Sequence, residues 1–117
     1  MALSESEKAR CEKVVAEFIE RLRPSPALRP KLDFGFQLQG QSIEILETRP
    51  RGDDQSKRIQ YAIAKATYIR TKDIWRIYWM GHGFKWRPYR SRARVRTLEE
   101  FLAIVEEDKY GHFFGYE

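Results

Sequence analysis

Hydrophobic residues recur along this chain at two different periods, and each change of period marks a new element. Over residues 4–23, Cys11, Val14, Val15, Phe18 and Leu22 fall at the spacing of one helical stripe. Ser4 and Glu7 form a capping box at its start, and Arg21 and Arg23 close the last turn, which suits the helix dipole. Pro24 and Pro26 end the helix, and the run to Pro30 is expected to be an extended connector. The period then drops to two. Phe34, Phe36 and Leu38 alternate with Gly35 and Gln37; after a turn at residues 39–41, Ile43 and Ile45 alternate with polar neighbours, which predicts a hairpin. Residues 49–56 read as a polar loop. Residues 60–70 suit strand or helix by propensity, and the tight turn at Thr71-Lys72-Asp73 into an alternating segment at 74–80 selects strand. In that partner Trp75, Ile77 and Trp79 share the face expected beneath the helices, while Arg76, Tyr78 and Met80 share the other. Gly81-His82-Gly83 marks a turn, and residues 84–89 a short fifth strand. Thr97 and Glu100 make a second capping box, opening a helix to Asp108 whose buried stripe is Leu98, Phe101, Leu102 and Val105. Aromatic residues 110–116 are expected to fold back on the body, since a cluster of exposed rings is costly.

The order is helix, four to five antiparallel strands, helix. It predicts an α+β fold with both helices packed on one sheet face. Length adds that residues 1–117 form a single α+β domain, able to bury about two thirds of its unfolded surface. A 42% hydrophobic and 14% aromatic content supports a packed core rather than disorder. The one cysteine, Cys11, excludes an intramolecular disulfide and a Cys-rich zinc site, and its place on the helix stripe makes it inert packing. A reducing compartment fits that usage, and no apolar run approaches the ~20 residues that cross a bilayer. The expectation is a cytoplasmic protein with no membrane partner.

Charge redraws this picture. Residues 57–96 hold twelve of the 22 lysines and arginines, a single acid, Asp73, and eight aromatic residues. That segment carries +11 and the remainder −6, within a net charge of +5. A basic, aromatic middle in an acidic frame points toward nucleic acid or another polyanion as partner. Arg90, Arg92, Arg94 and Arg96 alternate with Ser91, Ala93 and Val95. An extended backbone would send all four guanidinium groups to one side about 6.8 Å apart, near the spacing of successive phosphates. Lys85 and Arg87 prolong this line, while Arg76, Tyr78 and Trp86 are expected beside it on the sheet, with Tyr68 as a further candidate ring for base stacking. Neutralising six phosphates predicts a log–log salt slope of about −4 to −5.

Two other readings compete with this one. Glu99, Glu100, Glu106, Glu107 and the first helix's glutamates can neutralise the stripe within the fold. A protein-interaction or self-association module, forming a homo-oligomer, would use the outer sheet face around Tyr68, Tyr78 and Met80. Catalytic signals are weaker. His82 and His112 lack matched carboxylate spacing, no glycine-rich phosphate loop is present, and no serine or cysteine pairs with a base. Asp33 and Glu47-Thr48-Arg49 imitate the acid and acid-x-lysine order of metal-dependent nucleases, but arginine is effectively always protonated and makes a poor proton-transfer group. A metal-dependent nuclease is therefore the third reading. The expectation is a non-enzymatic protein with no catalytic residue, metal or cofactor.

Four stretches, AKATYIRTKDIWRIYW at 64–79, KWRPY at 85–89, TLEEFL at 97–102 and DKYGHFFG at 108–115, span most of the region from residue 34 onward. Through them the chain resembles a bacterial family known as domain of unknown function 3024. The resemblance implies a small bacterial protein without established activity, so no functional residues carry over. It also implies a less basic linker before the last helix than the four arginines found here.

Overall fold

In the computed structural model, which describes residues 3–54 and 56–114, the two periods resolve into two helices and one antiparallel sheet. Helix α1 (Glu5–Leu22) opens on the expected box: the Ser4 hydroxyl accepts the Glu7 N–H at 3.2 Å, and the Ser4 N–H donates to Glu7 Oε1 at 2.8 Å. Its buried residues are Cys11, Val15, Phe18 and Ile19, with Val14 and Leu22 packed at the margin. Ile19 joins because a helix resting on a sheet buries a stripe wider than one line of residues. The connector after α1 is turned rather than extended. Pro26 sits second in a turn closed by the Leu28 N–H on the Ser25 carbonyl at 2.9 Å, and Lys31 N–H bonds Leu28 O at 2.9 Å. Proline's fixed φ suits that turn position as well as it suits an extended chain.

The strands are β1 (Asp33–Gln39), β2 (Ser42–Pro50), β3 (Arg58–Ile69), β4 (Ile74–Gly81), β5 (Lys85–Pro88) and β6 (Arg94–Val95), and the second helix is α2 (Leu98–Glu107). The first five lie side by side in chain order, and β6 pairs with β4. The edge of β4 is thus shared: Tyr89 N–H donates to Ile77 O, and Ile77 N–H donates to Ala93 O, each at 2.9 Å. A bulge between Ile45 and Leu46 on β2 leaves Ile63 of β3 as the extra residue, so Ile63 and Ala64 are both buried. Beyond that point the β3–β4 ladder, which runs from Ala64–Trp79 to Ile69–Ile74, has no rungs, and among the described residues 58–62 pair with β2 alone.

Both helices pack on one sheet face. Phe18 and Phe101, exposed by 1% and 0%, meet Ile43, Ile45, Ala64, Ala66, Trp75 and Ile77 in a single core; burying each ring is worth ~1.5–3 kcal/mol. The α2 stripe is the expected Leu98, Phe101, Leu102 and Val105. Tyr68 corrects an expectation. The register Ala64–Trp79, Ala66–Ile77 and Tyr68–Trp75 puts it on the core face, its ring 5.2 Å from Trp75 and its hydroxyl donating to Asp73 at 2.7 Å.

After α2, Asp108 adopts a left-handed conformation (φ 42°), and its carboxylate accepts the N–H groups of Phe113 and Phe114, both at 3.0 Å. Phe113 is buried against Tyr89 and Phe114 meets Phe34 edge-on at 5.8 Å, but Tyr110 stays 44% exposed instead of folding in. Tyr116 lies outside the described residues. No helix among the described residues is long and apolar enough to cross a membrane.

Candidate nucleic-acid interface

The sheet face away from the helices carries Ser42, Glu44, Lys65, Thr67, Arg76, Tyr78, Met80 and Trp86, none of them fully buried. Alternation along the strands puts them there, and register decides which become neighbours. Lys65 stands opposite Tyr78, Tyr78 opposite Pro88, Met80 opposite Trp86, and Arg76 opposite Arg94 of β6. The Lys65 ammonium lies 4.8 Å from the Tyr78 ring centre and 4.9 Å from that of Trp86, a cation held by two ring faces. Lys65 was not among the expected site residues, although counting back from the turn at 71–73 places it against Tyr78.

Like charges directly opposite on neighbouring strands repel, so the exposed Arg76–Arg94 pair adds nothing to the stability of the β4–β6 pairing. Among the described residues neither arginine forms an ion pair. The nearest acid in register, Glu44, sits across from Lys65 and accepts from Gln37 at 3.0 Å. Asp73, the one acid of the basic segment, is engaged by Tyr68 beneath the sheet.

The linker does not form the expected ridge. Arg90–Arg92 is a 3-10 turn, closed by the Arg92 N–H on the Tyr89 carbonyl at 3.2 Å, so the arginines cannot alternate as on a strand. The cause is Tyr89, which is buried against Phe113 and pulls the chain inward before β6 returns it to β4. Arg92 is tied to Glu100 at 3.0 Å, and the backbone N–H of Arg96 donates to the same carboxylate at 3.2 Å. Lys85 and Arg87 alternate with Trp86 on β5 and face the other way. The nine expected residues therefore divide: Arg76, Tyr78, Trp86 and Arg94 come together on the open face, Lys85, Arg87 and Arg90 line the rim, and Arg92 and Arg96 lie beside α2. Internal pairing is likewise partial. Glu100 takes Arg92, while Glu99 pairs with Arg10 at 2.8 Å and Glu7 with Arg70 at 2.5 Å.

The residues of the nuclease reading do not converge. Asp33 is clamped by two Arg23 nitrogens at 2.8 and 2.9 Å, which hold its carboxyl below the usual aspartate range, and Glu47 is paired with Arg49. In register Glu47 faces Phe34, whereas Asp33 faces Thr48. Among the described residues no group of three or more His, Cys, Asp or Glu side chains can hold a metal ion. His82 is exposed, and His112 stacks on Trp79 at 4.3 Å.

A family model described as domain of unknown function (DUF3024) matches residues 3–115. No curated protein matches the chain, and no solved structure does.

Proposed function

The chain belongs to the DUF3024 family, and from its geometry we propose that it is a non-enzymatic module binding single-stranded nucleic acid on the open sheet face. Bases stack on Tyr78 and Trp86, each stack contributing ~1–3 kcal/mol. Arg76 and Arg94 take phosphates through their planar forks, and Lys65 leaves the rings to join them. One observation carries the reading: two unpaired arginines in direct cross-strand opposition border two part-exposed rings on a face without a helix. Covered sheets keep such rings as core; on an uncovered one they form the platform that nucleic-acid-binding sheets use. The reading needs no cofactor.

Fluorescence anisotropy with a labelled single-stranded oligonucleotide at low ionic strength tests it. Trp86→Ala and the Arg76→Gln/Arg94→Gln double variant are each expected to weaken binding by about tenfold or more, whereas Arg92→Gln, already tied to Glu100, changes it little. Failure of the unaltered protein to bind at low salt sinks the reading.

Self-association is the second reading, and a different place favours it. The unpaired edge of β3 borders an apolar cleft of about 590 Å³ lined by Tyr61, Ile63, Met80, Phe84 and Phe113. An uncovered edge is a template for a second copy's strand. Sedimentation across concentration, with Tyr61→Lys as the disrupting variant, decides this independently of any oligonucleotide.

A further inference from the structure

The rim of the sheet holds a cationic cleft that the open-face reading does not use. Arg87 lies across Gly81, where an added Cβ would stand 2.3 Å from Arg87 Nε and 2.5 Å from its Cδ. The Arg87 side chain thus runs over the backbone of β4 at a position where no side chain stands in its way. Beside it Trp79, Pro88, Arg90, Ser91 and His112 complete a cleft of about 250 Å³. Trp79 and His112 stack at 4.3 Å with 16° between their planes, and Tyr89 meets the imidazole edge-on at 5.7 Å, so the aromatic wall is held from two sides.

The polar inventory of the cleft is one-sided. Among the described residues no carboxylate lines it, and Arg87 and Arg90 form no ion pair. His112 Nδ1 is buried and has no hydrogen-bond partner in the described structure. Two guanidinium forks and a serine hydroxyl, gathered around a space too small for a whole drug-sized ligand, suit a compact oxyanion.

We propose that this cleft binds a phosphate monoester group, with Arg87 and Arg90 as its ligands and the Trp79–His112 stack as its wall. The group is either free phosphate or the terminal phosphate of a strand. The site goes beyond the open-face reading and stands without it, because Lys65, Arg76, Tyr78 and Arg94 take no part.

Calorimetric titration of the full chain with inorganic phosphate at low ionic strength tests the proposal. One saturable site is expected, weakened by about tenfold or more in Arg87→Gln and in Arg90→Gln. Phosphate binding retained in the Arg76→Gln/Arg94→Gln double variant separates this site from the open face, and its loss there overturns the assignment to the rim. A second arm compares a terminally phosphorylated oligonucleotide with its hydroxyl-ended counterpart: a gain abolished by Arg90→Gln assigns the group to a strand end, and phosphate binding without that gain assigns it to a small molecule. Either outcome supports the site. Absence of saturable phosphate binding, or unaltered binding in both arginine variants, overturns it.

Discussion

Glu7 does two jobs with one carboxylate, closing the capping box of α1 and receiving Arg70 from the end of β3 at 2.5 Å. Arg70's hydrogen bond, followed by that of the Ser4 N–H, lowers its pKa from 4.5 to about 2. A carboxyl depressed in the folded state adds stability that is complete above its unfolded pKa and disappears as pH falls through the folded one. The Glu7 contribution should therefore be present at neutral pH and fade between pH 4.5 and about 2. Glutamine keeps the capping geometry, so Glu7→Gln isolates the Arg70 pair. Thermal unfolding should show the two proteins furthest apart at neutral pH and converging near the acid end of that window. Phe84 offers the opposite case. It is 77% exposed and held at φ 57°, a left-handed conformation that an aromatic side chain resists. Phe84→Asn removes almost no packing and should raise stability by ~0.5–1 kcal/mol in urea unfolding. Loss of self-association in the same variant would mark the strain as retained for contact.

Among the elements, those specified by local chemistry are the ones legible in the sequence. Both capping boxes form, because each needs only residues three apart, and Thr97→Ala should cost about 1 kcal/mol by removing the acceptor of the Glu100 N–H. The α2 stripe is equally legible, since its period fixes its face. The strands were recognisable as strands, yet two facts that position the site lie between them. Register put Tyr68 in the core and Lys65 against Tyr78; both follow from the turn at Asp73, whose positive φ closes the β3–β4 hairpin. The linker was illegible for a different reason. Its arginines are exposed whether the chain is extended or turned, so their alternation carries no information about the backbone, and the deciding residue is Tyr89, whose partner Phe113 lies beyond α2. The half of the candidate site built on β4 and β5 could thus be read from alternation, while the half built on the linker could not.

On the scale of the whole molecule, a segment that looks like one block of charge in the sequence is dealt out to several surfaces by folding. Three cations, Lys65, Arg76 and Arg94, remain beside the rings on the open face. For a single strand that lowers the expected log–log salt slope to about −2, against the −4 to −5 of a six-cation ridge, and anisotropy titrations at several salt concentrations will distinguish the two. Asymmetry of this kind follows from having both helices on one side, where the acids of α1 and α2 reach Arg10, Arg70 and Arg92 but not the outer sheet. The clasp of Asp108 on the amides of Phe113 and Phe114 has a consequence in time as well as space. It carries Phe114 to Phe34, so the first strand waits for a partner that leaves the ribosome on the order of ten seconds later. Until then the nascent chain leaves the flank of β1 open, as it leaves open the core face that α2 later covers.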